Sequence, residues 1–123
     1  ADIVDTFITA IERHDFDAAV ALLGAECEYD NVPLGKQFGA EAVRQTLAPF
    51  CAQFDEIDWR VTAQTFSGTD AEGVVMNERL DRFRSGDHWH ELPVMGLFRI
   101  EDGRIVLWRD YFDAAQFAVA FQR

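Results

Sequence analysis

The spacing of apolar residues predicts three helices in the first half of the chain. Apolar side chains recur at three- and four-residue intervals near the N-terminus, again after Asp15 and again after Gly39, which places each set on one face of a helix. The three stripes are Ile3, Val4, Phe7, Ile8 and Ile11; Phe16, Ala19, Leu22 and Leu23; and Val43, Leu47, Phe50, Cys51 and Phe54. Gly24 is a natural stop for the second helix. Pro33, Gly35 and Gly39 predict an irregular loop before the third.

Five further runs predict strands, one short and four long. The short run covers 26–31, and the long runs cover 56–66, 73–84, 88–100 and 104–113. Turn-forming residues separate the long runs, so consecutive strands are expected to form antiparallel hairpins. Residues 113–121 return to a helical spacing. The order predicts an α+β fold, in which a curved, cone-like antiparallel sheet packs against the N-terminal and middle helices and leaves an apolar cavity between them.

Composition narrows the classes of partner. The chain has 123 residues, 49% of them hydrophobic, and it lacks repeats and linker-like stretches, so a single domain over 1–123 is expected. A formal charge of −11 would repel nucleic acids and anionic membrane surfaces. No apolar run approaches the roughly 18 residues that a membrane span needs, and no basic leader segment begins the sequence. With Cys27 and Cys51 expected to be reduced, the sequence predicts a cytoplasmic protein without nucleic-acid or membrane partners.

Polar side chains on inward strand faces are the strongest candidates for chemistry. Because strand side chains alternate, residues two apart point the same way. The faces are Val75, Asn77, Arg79, Asp81 and Phe83 in one strand, Val106, Trp108, Asp110 and Phe112 in another, and Tyr29 with Asn31 in the short first strand. A buried carboxylate without a partner is costly, so Asp110 should lie near a cation, and Arg79 could serve both Asp110 and Asp81. A surface ion pair, a structural ion network and core-edge hydrogen bonds are the alternatives.

The histidines give no second candidate site. His88 and His90 share a strand face, but no third ligand stands at a characteristic spacing, so no metal site is predicted. His14 stands at the end of the first helix, where it is expected to cap that helix. The sequence contains no phosphate-binding Gly-rich loop and no nucleophile motif. Covalent catalysis is therefore not indicated.

Three segments resemble the limonene-1,2-epoxide hydrolase family. They run from Tyr29 to Leu34, from Asn77 to Asp81 and from Gly103 to Asp113, in this order along the chain. The resemblance implies a small curved-sheet fold similar to that of nuclear transport factor 2, usually assembled as a homodimer. It also implies an enzyme that acts on an epoxide and water without a metal or an organic cofactor.

The resemblance further implies roles for five residues. Asp81 would be the general acid that protonates the epoxide oxygen, and Asp110 the base that takes a proton from the attacking water. Arg79 would bridge these acids, while Tyr29 and Asn31 would hold the water. The reaction needs such a set because an alkoxide leaves poorly without a proton and water needs a base to attack. One acid must stay protonated, which apolar surroundings and mutual repulsion favour and a neighbouring cation opposes.

Apolar residues near these positions are expected to form a pocket for a cyclic or aryl-substituted epoxide. Phe83, Phe112, Leu92 and Val94 would line its sheet side, and Phe50 and Phe54 would either close the opposite wall or pack in the core. The family pattern is interrupted at 35–37 and 88–90, so the resemblance leaves the substrate open.

Two rival hypotheses fit the same fold. One is an enzyme similar to ketosteroid isomerase or polyketide cyclase, in which an Asp abstracts a carbon-bound proton, and the other is a protein that only binds an apolar ligand.

Overall fold

The computed structural model describes residues 2–121 and has an α+β architecture, as predicted. Its elements, in chain order, are α1 (Asp2–Glu12), α2 (Phe16–Ala21), β1 (Leu23–Asn31), β2 (Gly35–Phe38), α3 (Ala40–Cys51), β3 (Glu56–Gly68), β4 (Glu72–Ser85), β5 (His88–Glu101), β6 (Arg104–Tyr111) and α4 (Ala114–Ala120). The three predicted N-terminal and middle helices, the five predicted strands and the C-terminal helix are all present. Within the described residues, no helix has the length and apolar character required to cross a membrane.

The strands form one curled, unclosed sheet in the order β2-β1-β6-β5-β4-β3. The strands β3 to β6 are joined as antiparallel hairpins, in agreement with the turn signals. The pair β1–β6 is instead parallel, with Tyr29 beside Trp108 and Asn31 beside Asp110. No hairpin sets the direction of this pair, because most of the chain lies between its two strands. The expectation of antiparallel pairing was wrong for this one pair.

The segment expected to be an irregular loop contains the edge strand β2. It pairs with β1 in antiparallel register, with Gly35 opposite Asn31 and Phe38 opposite Glu28. The turn that joins them closes with a hydrogen bond from the Leu34 N–H to the Asn31 carbonyl, 2.7 Å long. Pro33 and Gly35 therefore mark a tight turn rather than an irregular loop, because each is well suited to a turn and neither interrupts the short pairing that follows.

The core lies between the concave face of the sheet and α1, α2 and α3. The apolar stripe of α1 is buried as predicted, and Phe7 packs edge-on against Trp108 with ring centroids 5.0 Å apart. The stripe of α3 is shorter than predicted, because the helix ends at Cys51 and Phe54 follows it in a separate turn.

His14 also differs from expectation. It lies beyond the end of α1, and its Nε2 donates a hydrogen bond to the Phe54 carbonyl, 3.2 Å away, rather than to α1.

Candidate active site

A cavity of about 250 Å³ lies between the concave face of the sheet, α3 and the C-terminal segment. Its walls are mostly apolar and carry several aromatic rings. The described residues that line it are Tyr29, Asn31, Leu34, Thr46, Leu47, Phe50, Trp59, Asp81, Phe83, Leu92, Val94, Asp110, Phe112, Phe117 and Phe121. Four of the five predicted catalytic residues are in this set, and the fifth, Arg79, lies directly behind them.

The cavity contains five of the six apolar residues predicted to form the pocket. Phe54 is the exception: it packs in the core, which was the alternative expected for it, and its placement in the pocket wall was wrong. Its ring packs behind the wall, 5.4 Å from the ring of Phe50 and 5.0 Å from that of Phe83. The reason is the end of α3 at Cys51, after which the helical spacing that aligned Phe54 with Phe50 no longer applies.

The guanidinium of Arg79 joins the two predicted acids. Its Nε and Nη2 donate to the two carboxylate oxygens of Asp81, at 2.9 and 3.1 Å, and Nη2 also donates to Oδ2 of Asp110 at 2.9 Å. The remaining terminal nitrogen, Nη1, donates to Oδ1 of Asn77 at 3.1 Å. The Arg79 side chain is 0% exposed, whereas both carboxylates border the cavity. A reactant in the cavity would therefore meet the two acids, with the cation behind them.

The sheet brings these residues together across an intervening strand. Asp81 and Arg79 lie on β4 and Asp110 lies on β6, with β5 between them. At the crossing point, Gly96 of β5 is the register partner of both Asn77 and Asp110. A Cβ atom on Gly96 would overlap Nη1 of Arg79 and lie 2.7 Å from Oδ1 of Asn77. The guanidinium reaches Asp110 because position 96 has no side chain.

Tyr29 and Asn31 enter the cavity from β1, beside Asp110. The parallel pairing places Asn31 opposite Asp110, and the N–H of Val32 donates to the Asp110 carbonyl at 3.1 Å. The ring of Tyr29 stacks on that of Trp108, with centroids 4.1 Å apart and planes inclined by 16°. The phenol and the carboxamide therefore face the same part of the cavity as the Asp110 carboxylate.

Burial and charge set the ionisation of the cluster. Burial raises the pKa of Asp81, Arg79 lowers it and Asp110 raises it again, with a net result of about 6. Burial alone would lower the pKa of Arg79, but the charges of Asp110 and Asp81 outweigh it, so the guanidinium stays protonated. Burial and the charge of Asp110 raise the pKa of Tyr29, which therefore remains a neutral phenol able to donate a hydrogen bond.

A model of the family described as the limonene-1,2-epoxide hydrolase catalytic domain matches residues 1–123. The chain belongs to this family. It is 33% identical over 110 residues to the epoxide hydrolase EphG of Mycobacterium tuberculosis, a match that covers 89% of this chain and 70% of EphG. These findings confirm the resemblance seen in the sequence and support epoxide hydrolase activity in general.

Solved structures agree with this assignment. A limonene-1,2-epoxide hydrolase-like epoxide hydrolase from M. tuberculosis superposes with a TM-score of 0.78 at 28% identity, over 97% of this chain and 86% of that one. A protein of unknown function from Burkholderia pseudomallei, described as similar to nuclear transport factor 2, has a TM-score of 0.74 at 19% identity, over 99% and 96% of the two chains. The second likeness concerns the fold alone.

Several residues at this candidate site were not predicted to take part. Asn77 and Trp108 stand on the inward faces identified from alternation, but their contacts with Arg79 and Asp110 depend on the sheet register. The cavity residues that sequence reasoning missed are Leu34, Thr46, Leu47, Trp59, Phe117 and Phe121. The four-residue spacing of the last two predicts a common helix face, but it does not show where that face docks.

The two strand histidines are placed near each other without forming a metal site. The ring centroids of His88 and His90 are 4.4 Å apart, and Nδ1 of His90 donates to the Ala120 carbonyl, 2.6 Å away. Across residues 2–121, no three side chains of the metal-ligating types His, Cys, Asp and Glu come together. The contacts of His90 instead connect β5 to the end of α4.

The close packing at Gly96 leads to a prediction. We expect Gly96→Ala to displace the Arg79 guanidinium, because the added Cβ would lie against Nη1 of Arg79 and Oδ1 of Asn77. Overpacking of this kind should lower the free energy of unfolding by about 1–3 kcal/mol and reduce turnover at least about tenfold. Urea denaturation and initial rates would measure the two effects.

Gly24→Ala is the matched control for this substitution. Gly24 also lies in a strand, but a Cβ there would meet mainly the side chain of Val106, at 3.3 Å. We expect only a small change in stability and turnover. Wild-type stability and turnover in Gly96→Ala would show that the site does not depend on the absence of a side chain at position 96.

Proposed function

We propose that this protein hydrolyses a small apolar epoxide to a vicinal diol by adding water in one step, with Asp81 as the acid and Asp110 as the base. One observation carries the proposal. A single buried guanidinium is shared by two carboxylates that both border an apolar cavity. Acid and base are thus held at fixed positions around the space in which an epoxide and a water molecule would meet.

The reaction assigns a role to each polar side chain at the cavity wall. A water oxygen, held by Tyr29 and Asn31, attacks one ring carbon and gives a proton to Asp110. The carbon–oxygen bond on that carbon breaks, and the ring oxygen takes a proton from Asp81 to become the second hydroxyl group. Asp81 ends as a carboxylate and Asp110 as a carboxylic acid, and one proton returns from Asp110 to Asp81 before the next cycle.

The charges of the cluster favour a state in which the two acids share one proton. If Asp81 is protonated and Asp110 ionised, one cation balances one anion, and the buried cluster is neutral overall. Burial favours neutrality, because ions are poorly solvated in an apolar cavity. The pKa of Asp81 is raised to about 6, mainly because burial disfavours its charged form. Positioning of both reactants would supply much of the remaining rate enhancement.

The cavity suits a compact hydrocarbon epoxide. Its volume is about 250 Å³, and apart from the polar groups near Asp81 and Asp110 its walls are mainly aromatic and aliphatic. A cyclic or aryl-substituted epoxide would bury its hydrocarbon part against Phe50, Phe83 and Phe112 and place its oxygen near Asp81. A homodimer, the lack of a metal or organic cofactor and a cytoplasmic location stay predictions from the sequence.

The activity can be tested with a panel of epoxides. We expect limonene oxide, cyclohexene oxide or a styrene-type oxide to yield a vicinal diol, with one oxygen from isotopically labelled water attached to carbon. Mass spectrometry of the product would locate the label. No turnover on any member of such a panel would contradict the proposal and favour a ligand-binding protein or a different enzyme on this fold.

The acid and base roles predict the behaviour of two conservative variants. Asp81→Asn and Asp110→Asn should each lower kcat by at least about 100- to 10,000-fold, because each removes one proton-transfer group. Arg79 keeps one carboxylate partner in either variant, so the fold should remain intact by circular dichroism.

Asp30→Asn provides the control for removing a buried, paired carboxylate. Asp30 is 7% exposed and accepts a hydrogen bond from Nε of Arg109 at 3.0 Å, but it alternates with Tyr29 and Asn31 and does not line the cavity. We expect a loss of stability with kcat within about twofold of wild type. Near wild-type activity in Asp81→Asn or in Asp110→Asn would refute the role assigned to the residue that was replaced.

The raised pKa of Asp81 predicts the direction of the pH dependence. Asp81 must carry its proton to act as an acid, so it is competent below its pKa of about 6 and loses competence as the pH rises through that value. We therefore expect kcat/KM to fall by about tenfold per pH unit above this point. Rates in overlapping buffers, with the fold checked at each pH, would measure the profile. A rate that does not decrease up to about pH 9 would exclude Asp81 as the acid.

A further inference from the structure

Trp108 lies directly behind the proposed base, outside the cavity. It is 0% exposed and does not line the cavity, whereas its neighbours Asp110 and Tyr29 do. The indole Nε1–H donates to Oδ1 of Asp110 at 3.0 Å. Because Trp108 and Asp110 are two residues apart on β6, their side chains leave the same face of the strand, which brings the indole nitrogen next to the carboxylate.

The indole ring also supports the residue proposed to hold the water. Tyr29 stacks on it with ring centroids 4.1 Å apart. On its other sides, Trp108 packs against Phe7 at 5.0 Å and Phe98 at 6.2 Å, so its position is fixed by the core. One side chain thus contacts both Tyr29 and Asp110, and the same ring places the two relative to each other.

The chemistry of the indole nitrogen makes this contact directional. An indole N–H can only donate a hydrogen bond, so Oδ1 of Asp110 must act as an acceptor towards it. Oδ2 of the same carboxylate accepts from Arg79 at 2.9 Å. Asp110 therefore receives donors from two different residues, one on each oxygen. Asp81 also accepts a hydrogen bond on each oxygen, but among the hydrogen bonds of the described residues both come from Arg79.

We propose that Trp108 is a positioning residue that holds the Asp110 carboxylate in the orientation in which it accepts the proton and aligns it with Tyr29. The inference rests on the proposed function, since it concerns how the base of that reaction is oriented. The indole donor on Oδ1, together with Arg79 on Oδ2, fixes the direction in which the free lone pairs of Asp110 point. Trp108 acts through Asp110 and has no contact with the cavity.

The test is to remove the donor while keeping the ring. Trp108→Phe retains an aromatic ring against Tyr29 but has no N–H. Replacement of Trp108 by 3-benzothienylalanine, in which sulfur stands in place of the N–H, preserves nearly the whole shape and serves if the Phe variant folds poorly. We expect kcat to fall about 10- to 100-fold in both variants, with KM within about twofold, because a hydrogen bond to a charged group is lost without a change in the cavity wall.

Phe7→Leu is the control for loosened packing around the indole. Phe7 is 0% exposed and touches the Trp108 ring from α1, but it makes no hydrogen bond to the cluster. We expect it to lower the melting temperature at least as much as the benzothienyl replacement while kcat stays within about threefold of wild type. A fall in kcat that followed melting temperature across all three variants would assign Trp108 a purely structural role and overturn the proposal.

The remaining outcomes separate this inference from the proposed function. If wild type turns over an epoxide and both Trp108 variants keep its kcat, the role of Trp108 is refuted and the function stands. A rise in KM without a fall in kcat would also refute it, because it would show an effect on substrate binding. If wild type turns over no epoxide, both proposals fail together.

Discussion

The Arg79 guanidinium donates to Asp81 through two nitrogens and to Asp110 through one, in a position closed to solvent. Burying the guanidinium without the carboxylates, or the carboxylates without the guanidinium, would be unfavourable. A buried cation without partners is costly, and two neighbouring carboxylates without a cation repel each other. The sheet accommodates the contact across β5 only because Gly96 leaves room for the guanidinium. The register of three strands, the glycine and the buried ion cluster therefore depend on one another.

The cluster also explains how a carboxylic acid can persist beside a cation. One guanidinium neutralises one carboxylate, and the apolar cavity disfavours the second negative charge. Arg79 contacts both acids, with two hydrogen bonds to Asp81 and one to Asp110. The two acids differ in their other partners: Trp108 donates to Asp110, whereas among the described side chains Asp81 receives donors from Arg79 alone.

The sequence was sufficient to predict the inward faces of the strands but not which strands pair or in which direction. Alternation is a local property, so Arg79 and Asp110 could each be placed on an inward face without knowledge of the neighbouring strand. The parallel pairing of β1 with β6 is not local, and no turn between them signals it. This parallel pairing places Tyr29 beside Trp108, on which its ring stacks. The strand residues predicted to line a pocket border the cavity, whereas Phe54 does not, because the end of α3 interrupts the helical spacing.

The central claim is that Asp81 carries a proton beside a buried cation, and a direct titration of its carboxyl group is the most decisive measurement. Carboxyl-labelled aspartate would make the side-chain carbons visible by ¹³C NMR, and the Asp81 signal would be assigned by its loss in Asp81→Asn. The account predicts that this signal titrates near pH 6, well above an ordinary aspartate. A signal that remains that of a carboxylate down to about pH 4 would contradict the account.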